Sequence, residues 1–440
     1  MTGPEAMPEV LMLTENKLNP KPDDMSSGCM LMCFSLLVLL LLGISCGGAS
    51  KLSAPPQGLP PATTPAASNS YIGTQSPGDM WQVSIDHTSN NFSALDLTNS
   101  TAGMVLGSVV DQLGFLGLAQ TNVSPPFQPF GFALEIPSRA LLLRPGTNTA
   151  ALATLVPGTC LDINGSVTFQ FVTLPDPSWA AATDTAYGSV QVTVSGSSWN
   201  YSNFTQATLD SSQTNATLGT GTCATSAAGG LVTIPPNPPA TVSATLGVGP
   251  SGFFVADQFL SRASGIPSGA AGVIQPSASV NPTSIVGGSY LGFIYEPNVT
   301  ASPATCSADC LAPTQMVAFS GSLTTCLTIP SSSGMCGGAF FNDSLTNLKQ
   351  ASTDMTIELG TEDPNNFGLY RSAKVTMPDP AGSPGTCTNP GVAGTDSQSN
   401  PTCTLPAIAV VGNPENKFAI FLITQDTVNN SPMAISLFEQ

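Results

Sequence analysis

A single histidine serves the whole chain, so any mechanism that needs an imidazole must use His87. Asp86 precedes it in a stretch where Trp81, Val83 and Ile85 alternate with polar residues, the period-two pattern of a strand with one buried face. Neighbours on a strand point to opposite faces, which separates Asp86 from His87 and leaves His87 on the apolar side at the strand end. That placement predicts a core or rim histidine rather than a catalytic base. Carboxylates offer a second chemistry, because glycoside hydrolysis needs only two of them, roughly 5 to 9 Å apart across a cleft. Glu135 and Asp257 sit within apolar stretches, where burial would raise a carboxyl pKa, but the commoner place for such residues is an exposed strand face.

Aromatic residues are sparse. Trp81, Trp179, Trp199 and Tyr201 have the chemistry of a sugar-stacking platform, with Trp179 and Trp199 flanking an alternating strand in Ser- and Asn-rich surroundings. Their ordinary role is as core aromatics, the expectation kept here beside the platform. No metal and no cofactor is expected: Cys306 and Cys310 lack a second close pair and a nearby histidine. The run Asp162-Ile163-Asn164-Gly165 lacks the downstream glutamate of a calcium loop and reads as a turn. Gly43-Ile44-Ser45-Cys46-Gly47 fits the letters of a nucleophile elbow, yet it ends a hydrophobic run instead of joining a strand to a helix. The expectation is therefore a protein that is not an enzyme.

That hydrophobic run decides where the chain goes. Residues 30–45 hold no charge and would extend about 24 Å as a helix, short of the ~20 residues a membrane span needs. An export signal closed by small residues fits the length better. Gly43-Ile44-Ser45-Cys46 resembles the lipobox of bacterial lipoproteins, and the resemblance implies lipidation of Cys46, which becomes the mature N-terminus. By the same analogy, Gly47 after the cysteine implies the outer membrane, facing the periplasm or the surface. The alternative is an uncleaved single-pass N-terminal anchor. Either tether sets the remainder outside the cytoplasm.

Charge narrows the partners. Of 10 basic and 27 acidic residues, eight and 22 lie from Cys46 onward, a net charge of −14 for that part, with no Lys or Arg between Arg144 and Arg262. Such a surface repels nucleic acid and cannot hold a membrane through a basic patch. A lipid or the N-terminal helix is left as the membrane tether, with a protein or glycan as the outer partner. In an oxidising compartment the eight cysteines beyond the signal are expected as disulfides: Cys160, Cys223, Cys306, Cys310, Cys326, Cys336, Cys387 and Cys403. Proximity favours Cys387 with Cys403 and Cys326 with Cys336.

The elements that must position these groups read as strands. After the segment 1–45, residues 46–69 are a tether of Pro, Ala, Ser and Thr that cannot build a core. Beyond it the chain reads as all-β, antiparallel meanders forming two β-sandwich or β-barrel-like domains, 70–234 and 240–440. Four prolines within Pro235-Pro236-Asn237-Pro238-Pro239 mark the boundary, since they cannot lie inside a ladder. Residues 176–185 and 343–352 are candidates for short helices. Residues 407–411, 418–423 and 433–438 predict a C-terminal meander whose third strand, alternating Met433, Ile435 and Leu437, is half exposed. Two echoes, Ser70-Tyr71-Ile72-Gly73 with Ser289-Tyr290-Leu291-Gly292 and Ser138-Arg139-Ala140 with Ser261-Arg262-Ala263, have different offsets and support a repeat only weakly. The functional expectation is an envelope-anchored lipoprotein, a structural or ligand-binding β module; the alternatives are a carbohydrate-binding module and a carboxylate-dependent hydrolase.

Overall fold

Leu141, Leu142 and Leu143 are consecutive in the chain and end in two different cores: the outer pair inside a barrel, the middle one against its outer face. Strand geometry forces this, because successive side chains leave opposite faces. The computed structural model describes residues 69–76, 80–97, 103–126, 128–137, 139–145, 153–157, 165–175, 185–195, 198–209, 214–216, 219–224, 231–234, 244–248, 252–257, 269–297, 314–320, 334–344, 347–378, 387–395, 399, 401–427 and 431–440, with backbone pairing alone over most of 214–248 and 334–354.

The first barrel holds β1 (Asn69–Gln75), β2 (Met80–Asp86), β3 (Asn91–Asp96), β4 (Val105–Gln112), β5 (Phe115–Gln120), β6 (Gln128–Ile136), β7 (Ala140–Pro145) and β8 (Ala153–Pro157). Each pairs antiparallel with the next, and β8 returns to β1. A second sheet holds β9 (Gly165–Thr173), β10 (Ala186–Ser195), β11 (Ser198–Thr208), β12 (Thr214–Ala216), β13 (Gly219–Ala224), β14 (Leu231–Ile234), β15 (Ala244–Val248), β16 (Phe253–Asp257) and β17 (Ala270–Ile274). Because β10 pairs with β11 as well as β9, and β17 with β9, its hydrogen bonding also runs in a ring, with β12 as a short addition to β11.

The third sheet holds β18 (Ser289–Tyr295), β19 (Thr314–Ser320), β20 (Gly334–Ser344), β21 (Asn347–Glu358), β22 (Leu369–Pro378), β23 (Val392–Thr395), β24 (Pro401–Gly412), β25 (Ala419–Asp426) and β26 (Ser431–Glu439). Pairing of β22 with β24 and of β26 with β18 closes it likewise, β23 being appended to β24. The short α1 (Pro282–Val286) precedes this third ring, started by Asn281, whose side chain accepts from the Thr283 amide at 3.0 Å.

The all-β, antiparallel reading therefore holds, with several differences of detail. Residues 343–352, a candidate helix, lie in β20 and β21 and the hairpin between them, where cross-strand pairing overrides the local helical pattern. Residues 176–184 are outside the described residues. Strand β26 is not half exposed: β18 and β25 flank it, Met433, Ile435 and Leu437 fill the ring interior, and Ala434 and Phe438 fill a core on the other side. Either side of the proline-rich boundary segment, β14 and β15 pair with each other, so the 234–240 boundary falls within the second sheet.

Each ring is filled by its own side chains, and the outer faces of all three share a fourth core. Inside the first stand Tyr71, Val83, Phe92, Leu118 and Leu141; inside the second Phe169, Phe171, Trp199 and Phe254; inside the third Ile357, Leu422 and Ile435. The shared core takes Phe132 and Leu142 from the first, Val172 and Phe253 from the second, Phe293, Phe421 and Phe438 from the third. Arg139, at the β6–β7 turn, ties the three together. Its guanidinium lies over the Phe253 ring, 5.6 Å from the centroid, donates to the Pro414 carbonyl and pairs with Glu415 at 3.3 Å.

The seams between first and last strands depend on glycine. Gly73 on β1 stands opposite Leu155 on β8, and Gly292 on β18 opposite Leu437 on β26; a Cβ at either would collide with backbone oxygen, of Thr154 and Ser436 respectively. In the second ring the glycine has moved to the last strand, Gly272 opposite Phe171. The Tyr71-Ile72-Gly73 and Tyr290-Leu291-Gly292 echo thus occupies one place in two rings: tyrosine inward, glycine at the closure. The second echo has no such match, since Arg139 precedes β7 while residues 261–263 lie outside the described residues.

Candidate functional site

Alternation along β1 and β2 brings Asn69, Tyr71, Val83 and Ile85 to the inside of the first barrel, at the end where β1 begins. Past Ile85 the chain turns over that end. Asp86 holds the turn: its carboxylate accepts from the Thr88 amide at 2.8 Å, the Ser89 amide at 3.3 Å and the Ser89 hydroxyl at 2.7 Å. These hydrogen bonds, the Ser89 hydroxyl first, hold its pKa below the usual carboxylate range. Asn90 takes a positive φ of 53°, a conformation asparagine tolerates, and the chain re-enters as β3. The turn leaves His87 over the barrel end.

There His87 meets Glu135. On β6, Glu135 follows Ala133 on the inner face, opposite Leu141. Its Oε1 accepts from Asn69 Nδ2 at 2.8 Å and from the Tyr71 hydroxyl at 2.6 Å, and its Oε2 lies 2.6 Å from His87 Nε2. Glu135 is 4% exposed and Tyr71 fully buried, while the His87 side chain is 31% exposed. The result is a carboxylate held from three directions at the rim of an apolar interior, with the imidazole as its contact with solvent. Such an arrangement gives a buried carboxyl the hydrogen-bond partners that its burial requires. It supplies the histidine–carboxylate half of a nucleophilic triad, while the groups donating to the other carboxylate oxygen are an amide and a phenol.

Placed against the sequence, Asp86 and His87 do point apart, and His87 is a rim histidine. Glu135 differs from its expectation. It faces the barrel interior rather than solvent, and its partners are 66 and 64 residues distant in Asn69 and Tyr71, a separation no local pattern shows. The Asp257 side chain is not among those described. Trp199 and Tyr201 are fully buried inside the second ring, 6.5 Å apart, and Trp81 packs on Phe130 in the first barrel at 6.0 Å. These three are therefore core aromatics in two separate interiors rather than one exposed platform; Trp179 lies outside the described residues. Burial raises the Tyr201 hydroxyl pKa above its ordinary value.

Cys387 and Cys403 form a disulfide, with Cα atoms 5.5 Å apart, as proximity suggested. Cys46, Cys160, Cys306, Cys310 and Cys326 lie outside the described residues, and Cys223 and Cys336 fall on β13 and β20, where only backbone pairing is described. Among the described residues no group of three or more His, Cys, Asp or Glu could hold a metal ion, and no helix is long and apolar enough to cross a membrane.

Two features escape the sequence. Glu296, directly after β18, and Asp426, the last residue of β25, are buried carboxyls in the third ring. Of the large apolar side chains that are exposed among the described residues, Met104, Leu106, Val110 and Leu113 lie on β4 and its flanks, 44–53% exposed. A ring has two faces, and the sequence of β4 does not say which of them is covered.

No protein-family model matches the sequence, and no curated protein does. Among solved structures the chain is similar to a mutant of the vaccine antigen transferrin binding protein B from Haemophilus parasuis Hp5, at 7% identity and a TM-score of 0.22, over 86% of this chain and 78% of that one. That overlap is too slight to assign a function or a partner.

Proposed function

We propose that the chain is an exported, lipid-anchored envelope protein whose joined β-rings act as a structural or ligand-binding module at the cell surface or in the periplasm, and that it is not an enzyme. The observation that carries this reading is the filling of the rings: their interiors are occupied by their own apolar side chains, and their outer faces are fused in a common core. A partner then meets the outside, and the exposed apolar side chains of β4 are the kind of surface that marks an interaction site. Glu135 suits this too, since both its oxygens are engaged in holding Asn69, Tyr71 and His87. The tether is Cys46. Metabolic labelling with a radioactive fatty acid, followed by membrane fractionation, tests it in the native chain and in Cys46→Ser: label and membrane association should be lost in the variant. Equal labelling of the two proteins would remove the lipid anchor and favour the uncleaved N-terminal helix.

A further inference from the structure

Glu296 is a buried acid that no described neighbour hydrogen-bonds. Along β18, Ile294 faces the interior of the third ring and Tyr295 the shared core, so the alternation turns Glu296 inward. On β25, Ile420 and Leu422 face the same interior, and Thr424 and Asp426 follow in phase. Strand β26 lies between the two: Ala434 stands opposite Tyr295 on one side and Ile423 on the other, and Ser431 stands opposite Asp426. Both carboxyls therefore project from one face at one end of the ring, a few residues apart along it. Asp426 is fully buried and Glu296 is 2% exposed, with neither Glu296 oxygen accepting or donating a hydrogen bond.

The described groups packed around Glu296 bring no positive charge. Met433 and Ser431 face it from β26, Thr424 and Asp426 from β25, while Cys403 on β24 is closed in its disulfide. Thr424 gives its hydroxyl proton to the Pro406 carbonyl at 2.6 Å and Ser431 to the Pro432 carbonyl at 3.3 Å. Tyr295 faces the other way, where its hydroxyl accepts from Ser76. Burial first, and then the negative charge of Asp426, raise the Glu296 pKa well above its ordinary value.

We infer that this end of the third ring is a proton-binding site: Glu296 is carried as the neutral acid in neutral solution, and the folded chain loses stability when alkali removes that proton. The sign follows from linkage. An unfolded glutamate releases its proton near pH 4.3, whereas the folded chain keeps it to higher pH. Between those values the native state binds more protons than the unfolded one, so stability is complete below the unfolded pKa and falls as pH rises through the folded pKa. The device suits a protein that works on the acid side of neutrality.

Thermal unfolding of the full chain between about pH 5 and about pH 9, in the presence of a chelator, tests the inference. The midpoint of the native chain should fall by a few degrees toward alkali. Glu296→Gln, uncharged throughout, should lose that part of the fall and melt above the native chain at the alkaline end. Infrared difference spectra should show a protonated-carboxyl absorption in the native chain at neutral pH that Glu296→Gln lacks, a readout a purely structural role would not move. Should the glutamine variant fail to fold, Asp426→Asn takes its place: without the repelling charge Glu296 gives up its proton at lower pH, so the alkaline loss should be smaller and complete at lower pH than in the native chain. Parallel pH profiles for the native chain and both variants, or absence of the infrared band, would overturn the inference. So would recovery of the alkaline midpoint on adding calcium in place of the chelator, which would make the site one for a cation and not for a proton.

Discussion

Replacing Glu135 by alanine and by glutamine should damage the first barrel to clearly different degrees, because the two substitutions treat its donors differently. Alanine removes the acceptor of Asn69 Nδ2 and of the Tyr71 hydroxyl, 7% and 0% exposed, which cannot turn to water. A buried donor that loses its acceptor costs roughly 1–3 kcal/mol, which applies to Asn69, and the loss of the Tyr71 bond adds to it. His87 adds little, since its side chain is 31% exposed and can be solvated. Glutamine keeps a carbonyl at the Oε1 position for both donors and sets its amide toward His87, which can accept on Nε2 once the ring proton sits on Nδ1. What glutamine gives up is the charge assistance of these bonds, about 1–2 kcal/mol. Against a total stability of roughly 5–15 kcal/mol, the alanine loss is large and the glutamine loss modest. Urea unfolding followed by both tryptophan fluorescence and far-ultraviolet circular dichroism separates them. An alanine variant no less stable than the glutamine one would show that Glu135 does not anchor these donors.

Replacing Cys387 and Cys403 together by alanine opens a loop with a sequence separation of 16, and the entropy returned to the unfolded chain is worth about 3 kcal/mol, so the melting midpoint should drop by several degrees. An unchanged midpoint would mean that other contacts hold the segment. Gly292→Ala should block closure of the third ring, with a loss on the order of 3 kcal/mol or more, because its Cβ would meet the Ser436 backbone; Gly394→Ala, whose nearest neighbour would be the Thr402 hydroxyl at 3.3 Å, should be close to neutral. Equal solubility and stability of those two variants would refute the close approach at the seam.

How much of this was legible depends on the distance over which the information acts. The strand containing Val190, Val192 and Val194 declared itself through alternation, and the C-terminal meander through the apolar runs at 407–411 and 418–423, because both patterns are written into adjacent residues. Cys387 and Cys403 were legible because they are close in sequence. Glu135 was not: its role is set by register between β1, β2 and β6, and an inward glutamate in an apolar run has the same letters as an outward one. Residues 343–352 misled because local propensity is weak beside a sheet partner. The alternation of Met433, Ile435 and Leu437 misled for the opposite reason, since Ala434, Ser436 and Phe438 also pack once a second layer covers them. Proline density at 235–239 suggested a boundary between domains, yet the strands on either side of that segment, β14 and β15, pair with each other in one sheet.

The shared core has a consequence for assembly. Within each ring the strands follow one another, so most pairing forms between neighbours, and only the first-to-last seam waits for the ring to be complete. The core between the rings obeys a longer delay. Phe132, Leu134 and Leu142 of the first barrel are buried against residues as late as Phe438. A chain made from its N-terminus would present those side chains as a sticky outer wall until the last strand arrives. Truncations that remove β26 would therefore leave earlier rings with an uncovered apolar flank, and the risk they carry is aggregation of otherwise well-paired strands.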